Sequence, residues 1–179
     1  MIPLNDELRS RLARLHQRRK ARETTQLLPR DLSEDIDLER LVYKEHILST
    51  HDLALFPKGV DGQYIYPEGY SVYEYIEVDQ LTHLAKSIKE SGLVFDSDVL
   101  VSLDIDSGYW SLKKESVDKF FAWYLNYLES GYQALSIFQS DFKKGVVVDN
   151  YCGYLPRHLS TNANEVVYEY IRWEKYNNL

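Results

Sequence analysis

Apolar positions along this chain switch between a spacing of three to four and a spacing of two, a pattern of alternating helices and strands. Near the start, Leu4, Leu8, Leu12 and Leu15 recur at helical spacing among Arg9, Arg11, Arg14, Arg18, Arg19, Lys20 and Arg22. The spacing predicts a basic amphipathic helix with Asn5 as N-cap. Asp6 and Glu7 fall in its first turn, where carboxylates complement the helix dipole. The leucine edge is expected to pack on the rest of the chain. Thr24 to Leu38, with Pro29 and the acidic run Asp31, Glu34, Asp35 and Asp37, reads as a linker into a short helix around Leu38 to His46.

Gln63 to Tyr66 and Tyr70 to Val78 are β-rich runs separated by Pro67-Glu68-Gly69, which predicts a hairpin. In the second run Val72, Glu74, Ile76 and Val78 alternate with Tyr73, Tyr75 and Glu77, and the aliphatic face is the expected core side. Asp79 then caps a helix carrying Leu81, Leu84, Ala85 and Ile88, which stops at Ser91-Gly92. Val99 to Ile105 reads as a strand with Tyr109 to Leu112 returning beside it. Val117, Phe120, Phe121, Tyr124, Leu125 and Leu128 place the central core helix over Lys114 to Glu129, with Gly131 just beyond. A further helical stretch is expected over Tyr132 to Phe142, then a short strand over Val146 to Val148.

The pentapeptide Val-Tyr-Glu-Tyr-Ile occurs at Val72 to Ile76 and again at Val167 to Ile171. Turn residues flank the first copy and argue strand. Asn164 as N-cap, with Val166, Val167, Tyr170, Ile171 and Glu174 at helical spacing, argues helix for the second. Similarity stops outside the pentapeptide, so no duplicated domain is read. The expectation is one α+β domain, a small antiparallel sheet packed on helices, with residues 1–30 as a basic helical arm and residues 31–179 as the body.

Charge sharpens that division. The chain has 179 residues and a net charge of −7, yet residues 1–30 carry 8 basic and 3 acidic groups, net +5, while residues 31–179 carry 13 and 25, net −12. An acidic body repels phosphates and attracts basic protein surfaces, so nucleic acid is expected only at the arm. The arm could alternatively lie on an anionic membrane. No apolar run reaches membrane-spanning length, the start is arginine-rich where a secretory signal is apolar, and Cys152 stands alone; a cytoplasmic protein is expected.

Candidate chemistry is sparse. Val99 to Gly108 delivers Asp104 and Asp106 at a strand end and resembles the opening motif of haloacid-dehalogenase-type phosphotransferases, which implies a nucleophile at Asp104 and an acid/base at Asp106. The resemblance spans ten residues and departs at Gly108, where that family has Thr or Val. A small metal-dependent hydrolase or transferase using Asp104 and Asp106 is thus the alternative function. Asp96-Ser97-Asp98 and Asp104-Ile105-Asp106 also fit the Asp-x-Asp form of glycosyltransferases, but suit turns equally well. His16, His46, His51, His83 and His158 lack zinc-ligand spacing and are expected in surface or capping roles. Cys152 with His158 could pair as nucleophile and base, though a small buried thiol is the simpler reading. No cofactor or metal is expected.

The strongest compositional signal is tyrosine, at 15 residues against 6 Phe and 3 Trp. Tyr109, Trp110, Tyr124, Tyr127 and Tyr132 are expected around the core helix. Tyr64, Tyr66, Tyr70, Tyr73 and Tyr75 instead crowd one hairpin beside Glu68, Glu74, Glu77 and Asp79. Exposed rings ringed by carboxylates suit an interface with a basic partner. Tyr66, Tyr70, Tyr73, Tyr75, Glu74 and Glu77 are therefore the candidate partner-binding residues of a non-enzymatic acidic binding module. Ser116-Val117-Asp118-Lys119-Phe120-Phe121 resembles the start of the closing Ser-Phe-x-x-Phe-Leu helix of Smi1/Knr4-type immunity domains, which implies inhibition of a basic toxin or nuclease.

Overall fold

Among the described residues, seven strands pair into one sheet. The computed structural model describes residues 6–43, 70–78, 80–103, 107–128, 135–152 and 166–175. Its strands are β1 (Ile36–Val42), β2 (Tyr70–Val78), β3 (Val99–Ser102), β4 (Tyr109–Leu112), β5 (Leu135–Gln139), β6 (Lys144–Cys152) and β7 (Val166–Lys175). They lie in the order β1-β4-β3-β5-β6-β7-β2. Every neighbouring pair is antiparallel. The helices are α1 (Asp6–Thr25), α2 (Arg30–Ser33), α3 (Leu81–Glu90) and α4 (Val117–Leu128), the last preceded by a 3₁₀ turn at Lys114–Ser116. The α+β class expected from the pattern is the class observed.

The helices cover one face of the sheet. Phe120 and Tyr124 of α4 are fully buried, with the Trp110 ring edge-on to Phe120 at 5.8 Å. Val101, Leu112, Leu135, Ile137, Val146, Val148 and Tyr170 meet them from the strands, and Leu84 joins from α3. The opposite face carries a smaller buried cluster of Leu100, Tyr109, Phe138, Val147, Ile171 and Trp173. Tyr109 and Trp110 were expected together around the core helix. Consecutive residues of a strand point to opposite faces, so β4 sends Trp110 to the helices and Tyr109 to the second cluster, 5.2 Å from Phe138.

Several expected elements take a different form. Tyr132 to Phe142 was predicted helical; its described part is β5 and a turn, because strands β3 and β6 on either side supply ladder partners that local spacing cannot reveal. The C-terminal segment likewise enters the sheet as β7 between β6 and β2. Leu38 onward was predicted helical and is strand β1 as far as Val42, paired with β4. The helix end at Gly92 is as predicted, with Gly92 in the left-handed region at φ 57°. Gln63 to Tyr66, Asp79, Gly131 and the carboxylates at 104 and 106 lie outside the described residues.

The acidic stretch read as a linker is bonded to the body. Leu28 and Leu32 are buried, while the Lys119 ammonium approaches Asp31 at 2.9 Å. Asp35 accepts from Lys113 Nζ and from Ser116 Oγ, each at 2.6 Å, and fastens the start of β1 to the residues that open α4. The Lys113 hydrogen bond, reinforced by that of Ser116, holds the Asp35 carboxyl below its ordinary value of 3.8. A carboxyl lowered in the folded state stabilises above its unfolded pKa and loses that contribution as pH falls through the folded one. Asp35→Asn is therefore expected to lower the Tm at neutral pH, with the gap to wild type closing as the solution is acidified below the carboxylate range. Thermal melts across pH check this; a constant gap would sink the assignment.

Candidate interaction surface

The two copies of the pentapeptide lie side by side. β2 runs antiparallel to β7 with Tyr75 opposite Ile171 and Ile76 opposite Tyr170, so the ends of the two repeats face each other across the ladder. Two rows follow from this register. Ile76 and Val78 stand opposite Tyr170 and Tyr168, two residues of the helix-covered core. Tyr73 and Tyr75 stand opposite Trp173 and Ile171, members of the second cluster.

The same register assembles an acidic row. Asp149 of β6 is opposite Glu169 of β7, and Glu169 is opposite Glu77 of β2. Three carboxylate residues thus occupy adjacent positions on three neighbouring strands, next to the row of Val147, Ile171 and Tyr75. Like charges directly opposite one another in a sheet are destabilising, by roughly 0.2–1 kcal/mol per pair. Elsewhere on β7 charge is balanced: Arg172 Nη2 donates to Glu174 at 2.9 Å, and Lys144 lies 3.7 Å from Glu174. Glu74 of β2 is opposite Arg172, an opposite-charge pair in register.

Trp173 holds this end of the sheet together. Its Nε1–H donates to the Phe142 carbonyl at 3.1 Å, tying β7 to the β5–β6 turn. Phe142 itself sits at φ 58°, and its ring stacks on Phe138 with centroids 5.0 Å apart. Gly145 lies opposite Trp173 in register, and a Cβ there would overlap ring carbons Cζ2 and Cη2 of Trp173 and the Cβ of Phe138. Glycine at 145 is the space into which the indole fits.

Of the sequence-predicted interface residues, Tyr70, Tyr73, Glu74, Tyr75 and Glu77 all belong to β2, which ends the order of the described strands; Tyr66 lies outside the described residues. Asp149 and Glu169 were missed. Glu169 is the middle residue of the second pentapeptide, and reading that copy as strand would have exposed it. Asp149 carried no local signal. Asp104 and Asp106 are outside the described residues, as are His46, His51 and His158. Gly108, the departure from the phosphotransferase motif, has a structural cause: φ is 67°, and an added Cβ would stand 3.1 Å from both Gln17 Oε1 and the Val42 carbonyl. β3 is flanked antiparallel on both sides, unlike the parallel strands whose carboxyl ends carry α/β active sites. His16 and His83 are exposed, as expected of surface residues. Among the described residues no cluster of His, Cys, Asp or Glu is arranged to hold a metal ion. No described helix is long and apolar enough to cross a membrane.

Because the register of the acidic row depends on Trp173, two substitutions probe it. Trp173→Phe removes the Phe142 hydrogen bond and is expected to cost about 1 kcal/mol beyond the lost ring volume. Gly145→Ala should cost more, in the range of about 1–3 kcal/mol typical of overpacking, since backbone-anchored rings must move. Denaturant unfolding checks both; a neutral Gly145→Ala would remove the packing argument. Comparison with curated proteins and with solved structures gives no match. The YokC prophage protein family does match, over residues 4–172, and the chain belongs to that family.

Proposed function

We propose that this chain is a non-enzymatic binding module that captures a basic protein, of the kind that protects a cell from a toxin or nuclease domain. The observation that carries the reading is the acidic row Asp149, Glu169 and Glu77, laid across three strands beside the tyrosine-bearing positions of β2. A protein that places like charges opposite one another accepts lower stability there, and binding an oppositely charged surface relieves the repulsion. Tyr73 and Tyr75 add aromatic residues of the type that anchors interfaces. The net charge of −12 over residues 31–179 would speed encounter with a basic partner through its long-range field.

The decisive substitution is Glu77→Gln, Asp149→Asn and Glu169→Gln together. Relief of the two like-charge pairs should leave stability unchanged or raise it by up to roughly 1–2 kcal/mol, while affinity for the basic partner falls at least about tenfold. The partner to test is the product of the gene adjoining this one, coexpressed with either form. Growth should be rescued by wild type and not by the triple variant, with complex formation measured by calorimetry. Equal rescue by both forms would remove the acidic row as the interface.

A further inference from the structure

Helix α1 is anchored by the wrong face for its leucines. Gln17, Ala21 and Thr25, at i, i+4 and i+8, are its buried residues and seat its second half on the body. Gln17 packs at Gly108, and Ala21 belongs to the main core. Leu8, Leu12 and Leu15 form a stripe turned about 150° around the axis from that seat, at 100° per residue. They are 46%, 50% and 62% exposed. The expected packing of this stripe on the body is therefore not what the structure has. Arg14 reaches back from the seated side to lie over the Tyr43 ring at 5.2 Å.

An apolar groove is open elsewhere on the same molecule. It runs between α3 and α4, is lined by Ala85, Ile88, Leu93, Val94, Phe121 and Leu125, and has Lys89 and Asp118 at its rim. Five large apolar residues are exposed among those described: Leu8, Leu12 and Leu15 form the stripe, Val94, 68% exposed, lines the groove, and Leu27 lies just beyond the end of α1. The groove cannot be served by the chain's own stripe, because α1 packs beside β1 at one end of the sheet while α3 packs beside β7 and β2 at the other.

We infer that the leucine stripe of α1 docks into the α3–α4 groove of a second copy of this chain. Residues at i, i+4 and i+7 are the spacing by which an amphipathic helix enters an apolar groove. The charges agree, since the arm of residues 1–30 carries +5 and the body it would approach carries −12. A pairing of two α1 stripes would leave the α3–α4 groove uncovered, whereas docking a stripe in the groove covers both apolar surfaces. The contact is a single helix in a groove, a small interface, so association is weak and depends on concentration and salt.

Sedimentation velocity on the full chain tests this. Wild type should shift from monomer toward dimer as concentration rises, with the shift reduced at high salt. Leu12→Asp with Leu15→Asp should abolish it, and so should Val94→Asp alone; all three side chains are exposed, and circular dichroism should confirm that the fold is kept. Mixing the arm variant with the groove variant should restore association above that of either alone, because one supplies an intact groove and the other an intact arm. A wild type that stays monomeric at every concentration overturns the proposal, and binding of its arm to anionic vesicles or to RNA would then name the occupant instead. Association that survives Val94→Asp, or a mixture that stays monomeric, also overturns it.

Discussion

The indole of Trp173 lying on Gly145 is the contact on which the β6–β7–β2 half of this sheet depends. It closes β7 against β6 without space for a side chain at 145, and its Nε1–H fixes the turn that joins β5 to β6. With β7 locked in register, β2 adds to it with Ile76 and Val78 opposite Tyr170 and Tyr168 of the helix-covered core. A one-residue slip would exchange the two faces of β2, so the register is specified by burial as well as by hydrogen bonds. The acidic row is a consequence of that locking. Asp149, Glu169 and Glu77 are brought to adjacent register positions by the pairing of β6, β7 and β2.

The two faces of the sheet are packed differently. On the helix side, Phe120, Tyr124 and Trp110 make a core in which aromatic rings meet edge-on or stacked. Asp35 and Asp31 then clamp the segment before β1 to the beginning of α4. On the other side a smaller aromatic cluster supports the tyrosine-bearing end of the sheet. Helix α1 belongs to neither face in the usual manner. It is seated through two polar residues and an alanine, which leaves its apolar stripe and most of its arginines turned outward.

Much of the scaffold was legible in the residues themselves. The 3.6-residue spacing of α4, the alternation in β2, the return of β4 beside β3 and the stop at Gly92 are local signals, and each survives folding because tertiary contacts agree with it. Gly108 was legible only as an oddity in a motif, and its meaning came from α1 and β1 packing against it. The candidate site was half visible: β2 advertised its tyrosines and glutamates, whereas Asp149 and Glu169 gained significance only through pairing with strands distant in sequence.

The amino-acid sequence determined the class of the domain, the periodicity of its best elements and the separation of a basic start from an acidic body, since these rest on neighbours within a few positions. Tertiary structure decided the remainder. Val166 to Lys175 carries apolar residues that satisfy either a helix or a strand, and only the ladders offered by β6 and β2 select the strand. The direction of the leucine stripe was likewise open, because a helix with apolar residues on one side and Gln17, Ala21 and Thr25 on the other can be seated by either. Shape at the seat, where Gly108 admits close approach, chose the smaller side chains and left the leucines facing outward.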